Sequence, residues 1–123
     1  MIGGVVMAGF PSPAQDYFDG TLDLNEHLID DPLTTFVVKV VGDSMARAGV
    51  FDGDEIIVDR SRTPSDGSVV IAVVDGELTI RRFRLTASGP ELHAEHPGHP
   101  VIRMREGQEL SIWGVATRCL HRL

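Results

Sequence analysis

Asp75-Gly76 divides two long β-prone runs, Ser68-Val69-Val70-Ile71-Ala72-Val73-Val74 and Glu77-Leu78-Thr79-Ile80-Arg81-Arg82-Phe83-Arg84-Leu85. An Asp-Gly pair readily supplies the two positive φ angles of a type I′ turn, whose twist suits a two-residue hairpin. This one segment commits the chain to an antiparallel sheet. The same period of two begins at Phe36-Val37-Val38-Lys39-Val40-Val41, which Gly42 stops. Asp52-Gly53-Asp54 leads into Glu55-Ile56-Ile57-Val58, and Pro64 to Gly67 forms the next turn. Residues 91–95, 101–104 and 110–118 complete seven expected short strands. Met45 to Val50 has room for a turn of helix. The expected fold is mainly β, built of strongly bent short strands with one or two short helical turns.

The chain divides near residue 34. Pro11-Ser12-Pro13, Asp19-Gly20 and Asp30-Asp31-Pro32 interrupt regular structure before that point. Residues 1–34 are therefore expected to be a mobile arm, anchored by about one helical turn around Leu24 to Ile29. Residues 35–123 are expected to be the β domain, long enough for a single core.

Composition narrows the function. Eighteen acidic residues against eleven basic ones give a net charge of −7, so binding nucleic acid through a basic face is not expected. No apolar run reaches the length of a membrane span, and Met1 to Ala8 lacks the basic start of a secretory signal. The expected location is the cytoplasm. Cys119 is the single cysteine, so no disulfide can form within the chain. Ten of the eleven basic residues are arginine, and the one lysine is Lys39.

Ser44 stands out within Gly42-Asp43-Ser44-Met45. A serine hydroxyl is a weak nucleophile at neutral pH and needs a base nearby. Placed just past a strand, its hydroxyl is expected to be exposed, and backbone N–H groups around Asp43 and Met45 can converge on an anion. Taken alone, the tetrapeptide reads equally well as a helix N-cap.

The wider layout changes that balance. Ala8-Gly9-Phe10-Pro11-Ser12-Pro13 begins thirty-six residues before Ser44, and Ile80-Arg81-Arg82-Phe83 centres on a position thirty-seven residues after it. With Asp16-Tyr17, Leu22-Asp23-Leu24-Asn25, Asp52-Gly53-Asp54, Ile57-Val58-Asp59, Val73 with Asp75-Gly76-Glu77 and Thr79, and Trp113-Gly114-Val115-Ala116, the chain resembles the LexA/UmuD family of self-cleaving SOS proteins, and UmuD in particular, over nearly all of residues 7–123. The resemblance implies a LexA/UmuD C-terminal-domain-like β fold and a Ser/Lys-type self-peptidase without a cofactor. It implies Ser44 as nucleophile and Ala8-Gly9 as the bond cleaved, the peptide around that bond lying along the domain as an extra extended strand. The implied partners are a second copy in a homodimer, a RecA–DNA filament that stimulates cleavage, and a UmuC-like Y-family DNA polymerase. A LexA-type repressor fragment is a weaker reading, since no DNA-binding domain is present in these 123 residues.

One position departs from the pattern. Arg81 stands where the family keeps its general-base lysine. A guanidinium has a pKa above about 12, and reaching its neutral form near pH 7 costs about 7 kcal/mol. Arg81 can hold a hydroxyl but hardly deprotonate it. It is an introduced block, a native replacement in an arginine-rich chain, or a sign that another group is the base. Lys39 lies about 16 Å of extended chain from Ser44. A non-catalytic adaptor with the same fold is the rival reading.

Other groupings read as structure. His93, His96 and His99 with Glu91 and Glu95 suggest a metal, but Pro97, Gly98 and Pro100 break any helix aligning them, so a loop and no metal site is expected. Asp52-Gly53-Asp54 lacks further calcium ligands and reads as a turn. Arg81, Arg82 and Arg84 read as an anion patch or the solvated face of an edge strand. The apolar residues 110–116 near the end suggest an unpaired strand that dimerises, or a core strand around Trp113.

Overall fold

The computed structural model describes residues 2–7, 24–103 and 111–123. They form one eight-stranded antiparallel sheet in the order β1-β2-β3-β8-β4-β5-β6-β7. The strands are β1 Ile2–Met7, β2 Thr35–Val40, β3 Glu55–Asp59, β4 Val69–Val74, β5 Glu77–Thr86, β6 Gly89–His93, β7 Ile102–Arg103 and β8 Ser111–Leu120. Helix is confined to α1, Leu24–Leu28, and a 3₁₀ turn at Ala46–Ala48, among the described residues. The mainly β expectation holds.

The hairpin forms as its turn residues dictate. Asp75 and Gly76 both take positive φ, 49° and 79°, and Val74 pairs with Glu77. All seven expected strands are present, with boundaries shifted by a few residues. The eighth, β1, was not among them. Gly3-Gly4 weakens its local preference, and its register with β2, from Ile2 opposite Val40 to Met7 opposite Phe36, comes from the partner strand. β1 ends one residue before Ala8. Ala8 and Gly9, with the rest of the arm to residue 23, lie outside the described residues.

Two expectations need correction. The last strand is not an unpaired edge: β8 lies between β3 and β4 and pairs with both. Its apolar residues are core residues for that reason, and they give no support to dimerisation. The arginines of β5 are not on an edge either, because β5 pairs with β4 and β6. Arg81 is buried, Arg82 is half-buried in an ion pair with Glu95, and only Arg84 is exposed.

Strand alternation sends side chains to both faces, and each face carries its own cluster. Val38, Val40, Met45, Val50, Ile56, Val58, Ile71 and Ile80 form the first. Val70, Ala72, Phe83, Leu92 and Val115 form the second. β4 serves both, with Ile71 in one and its neighbours Val70 and Ala72 in the other. Register shifts interrupt the ladder on both sides of β8, at Ile57/Val58 and at Ile71/Ala72. Such bulges bend and twist a strand, and here they curl the sheet about its centre. Trp113 packs against the first cluster, edge-on to Phe36 at 5.2 Å and under the guanidinium of Arg60 at 4.5 Å.

Buried carboxylates fasten the ends of β3. Asp54 accepts the Phe51 N–H and pairs with His121 beyond β8. Asp59 accepts the Ser61 N–H at 2.8 Å, the Ser61 hydroxyl at 2.7 Å and the Thr34 hydroxyl at 2.9 Å. Burial pushes the Asp59 carboxyl up, but the hydrogen bonds from Ser61 and Thr34, with Arg62 beside them, outweigh it and hold it below its ordinary value.

Two measurements test this account. A Cβ on Gly114 would stand 2.5 Å from Cγ1 of Val58, a stiff, fully buried side chain. Gly114→Ala is expected to lower unfolding stability by about 1–3 kcal/mol in urea titrations. Because the folded-state pKa of Asp59 is depressed, its stabilisation is present above the ordinary carboxylate pKa and lost as pH falls through the folded value. The Tm deficit of Asp59→Asn is therefore expected to be large near pH 7 and to shrink below about pH 4.

Candidate functional site

Ser44 lies four residues past β2, where Gly42 takes φ 95° and turns the chain out of the sheet. Asp52 steadies this turn by accepting the Gly42 N–H at 2.8 Å. Contrary to the expected exposure, Ser44 is buried, at 5% exposure, because its loop is held down by Met45 in the first cluster and by Glu95. It is not the N-cap of the short helical turn that follows. That position belongs to Met45, which makes no side-chain capping bond, and Gly49 closes the turn in left-handed conformation. The carbonyls of Asp43 and Met45 face into the turn, accepting the N–H groups of Ala46 and Ala48.

Two links join this loop to β5 and β6. Met45, next to Ser44, shares the first core cluster with Ile80, next to Arg81. The Glu95 N–H donates to the Ser44 carbonyl at 2.8 Å, and the Glu95 carbonyl accepts the Arg47 N–H at 3.0 Å. Glu95 follows β6, whose His93 faces Arg82 of β5. Its carboxylate accepts the Arg82 Nε–H at 2.9 Å, while Arg82 Nη1 donates to the Gly67 carbonyl. Glu95 thus holds the serine loop by its backbone and β5 by its side chain. Sequence reasoning placed Glu95 only beside a histidine cluster, since nothing local marks a residue whose partners lie 13 and 51 positions away.

Arg81 sits opposite Val70, in phase with Phe83 of the second cluster. It is 9% exposed. Nη1 donates to the Ile80 carbonyl at 2.7 Å, and the buried Nε has no hydrogen-bond partner among the described residues. Burial without a carboxylate draws its pKa down from the ordinary guanidinium value. No hydrogen bond joins Arg81 to Ser44 among the described residues; the guanidinium bonds its own strand instead. Lys39 is exposed on β2, between the buried Val38 and Val40, and so points away from the first cluster.

The histidines divide differently from their spacing. His93 ends β6 and pairs with Glu91 at 2.9 Å, whereas His96 and His99 meet Asp43. Hydrogen bonding from His99 holds the Asp43 carboxyl below its ordinary value, with the nearby His96 and His99 charges adding to it. Asp52 and Asp54 serve as the expected turn, with Gly53 at φ 86° between them. No helix among the described residues is long and apolar enough to cross a membrane.

A profile of the family described as Peptidase S24-like matches residues 1–117. Over 115 residues the chain is 43% identical to the protein SamA of Salmonella typhimurium, covering 94% of this chain and 79% of SamA. It is 39% identical to the protein MucA of Escherichia coli over 116 residues, covering 94% and 79% of the two chains. A LexA repressor of Acidovorax sp. (strain JS42) is 36% identical over 113 residues, covering 92% of this chain and 50% of the repressor. The chain belongs to the Peptidase S24-like family, the group of LexA- and UmuD-type proteins.

Proposed function

We propose that this protein is a UmuD-like SOS mutagenesis factor and a serine self-peptidase in which Ser44 attacks the Ala8–Gly9 bond of its own arm or of a partner's arm. The observations that support the reading are the link of the Ser44 loop to β5, through the cluster that Met45 shares with Ile80 and through Glu95, and a family match that runs almost end to end. In the reaction Ser44 Oγ adds to the Ala8 carbonyl as its proton passes to a base. Backbone N–H groups around Asp43 and Met45 stabilise the oxyanion. The Gly9 amine departs with a proton, and water then releases residues 1–8 from the acyl-serine.

Position 81 sets the rate. A lysine in such a buried place is neutral for part of the time and takes the serine proton. Arg81 stays charged, because even with burial lowering its pKa a guanidinium does not lose its proton near neutrality. Self-cleavage by this chain is accordingly very slow. The trimmed protein acts in the cytoplasm as a homodimer alongside a UmuC-like Y-family polymerase, after stimulation by a RecA–DNA filament and without binding nucleic acid directly. The net charge of −7 favours protein partners over DNA. Arg81 itself favours a second reading, an adaptor of such a polymerase that keeps the fold and does no proteolysis.

Intact-mass measurement separates the two. The unaltered chain, incubated alone at pH 7 and pH 10, is expected to keep residues 1–8, whereas Arg81→Lys loses them and Arg81→Lys with Ser44→Ala does not. A gain of about a hundredfold or more in the Arg81→Lys rate fits restoration of a general base. Rapid cleavage with Arg81 in place would refute the base assignment, and an inert Arg81→Lys chain that is folded would favour the adaptor.

A further inference from the structure

Asp43, His96 and His99 come from two loops fifty-three residues apart, yet their donor atoms all lie within 4.8 Å of one another. His96 Nε2 is 3.3 Å from Asp43 Oδ2, and His99 Nε2 is 3.0 Å from Asp43 Oδ1. Ligands around a four-coordinate zinc, at about 2.0–2.1 Å from the ion, stand about 3.3 Å apart. We propose that these three side chains form a binding site for a divalent transition-metal ion of the zinc type, taken by two imidazole nitrogens and one carboxylate with the remaining position left to water.

The frame for such a site is already built. Glu95 bonds the Ser44 carbonyl and the Arg47 N–H, so the loop carrying Asp43 is latched to the loop carrying both histidines. The donors are half-buried at the histidines and open at Asp43, which leaves a path for the ion. Two imidazoles and one carboxylate favour zinc, nickel or copper over calcium or magnesium, which prefer oxygen shells. Asp43 supplies the negative charge. One bond must change. His96 Nδ1 accepts the Gly98 N–H at 3.0 Å, which leaves the ring proton on Nε2, 3.3 Å from Asp43 Oδ2. Metal entry at Nε2 moves that proton to Nδ1 and gives up the Gly98 bond. The ion replaces the His99–Asp43 hydrogen bond and the close approach of His96 to the same carboxylate.

The site is independent of the peptidase reading, although the ion would be held one residue from Ser44. The test is titration of the full chain with Co²⁺, followed by its visible absorption, and with Zn²⁺ by calorimetry. The expected result is one ion per chain, with affinity reduced at least about tenfold by His99→Ala and by the nearly isosteric Asp43→Asn. His93→Ala, whose ring pairs with Glu91, is expected to leave binding unchanged. Circular dichroism of each variant establishes that it is folded. Failure to take up either metal would overturn the proposal. So would uptake that survives His96→Ala with His99→Ala, or that disappears only with His121→Ala, the histidine beside Asp54 and Cys119.

Discussion

The sheet depends on the pairing of its last strand. β3 and β4 follow one another in the chain but do not touch as neighbours; β8, some forty residues later, fills the space between them. Without it the first cluster would lose the alignment of Val58 with Ile71, and the second would lose Val115. Gly114 makes the fit possible, since there is no room for a methyl group between its backbone and Val58. A core completed by so distant a segment pays its loop-closure entropy before gaining contacts, which places this fold among the slower-forming topologies.

Much of the architecture is legible locally. Asp75-Gly76 predicts its own turn because both residues tolerate positive φ, and β2 and β3 announce themselves through alternating β-branched residues. What is not legible locally is pairing. β1 contains two glycines and takes its extended form from β2, and the central place of β8 follows from contacts across the sheet. The same limit explains the arginines of β5. Three charges in four residues suggest a wet edge, but β6 covers that edge, and Arg81 is buried on the face that carries Phe83 of the second cluster.

The candidate site was visible in part for the same reason. Ser44 is marked by its turn, and position 81 by the resemblance that puts the family's lysine there. Glu95 and the meeting of Asp43 with His96 and His99 have no local signature, because they exist only once the loop after β6 folds over the loop after β2. The regular spacing of the three histidines pointed to the wrong set: His93 belongs to the strand and faces Glu91, while the break at Pro97-Gly98 turns the other two toward Asp43. Proline and glycine there shape the loop that gathers them.

The first strand has a consequence of its own. β1 is the outermost member of the sheet and is hydrogen-bonded to it through β2, by a ladder running from Ile2 to Met7. Any loss of those residues leaves the β2 amides and carbonyls that face β1, between Phe36 and Val40, without those partners. A row of that kind is a template for an incoming extended peptide. Loss of β1 would therefore uncover the first cluster where Ile2 packs and create a vacancy shaped for a strand from another molecule.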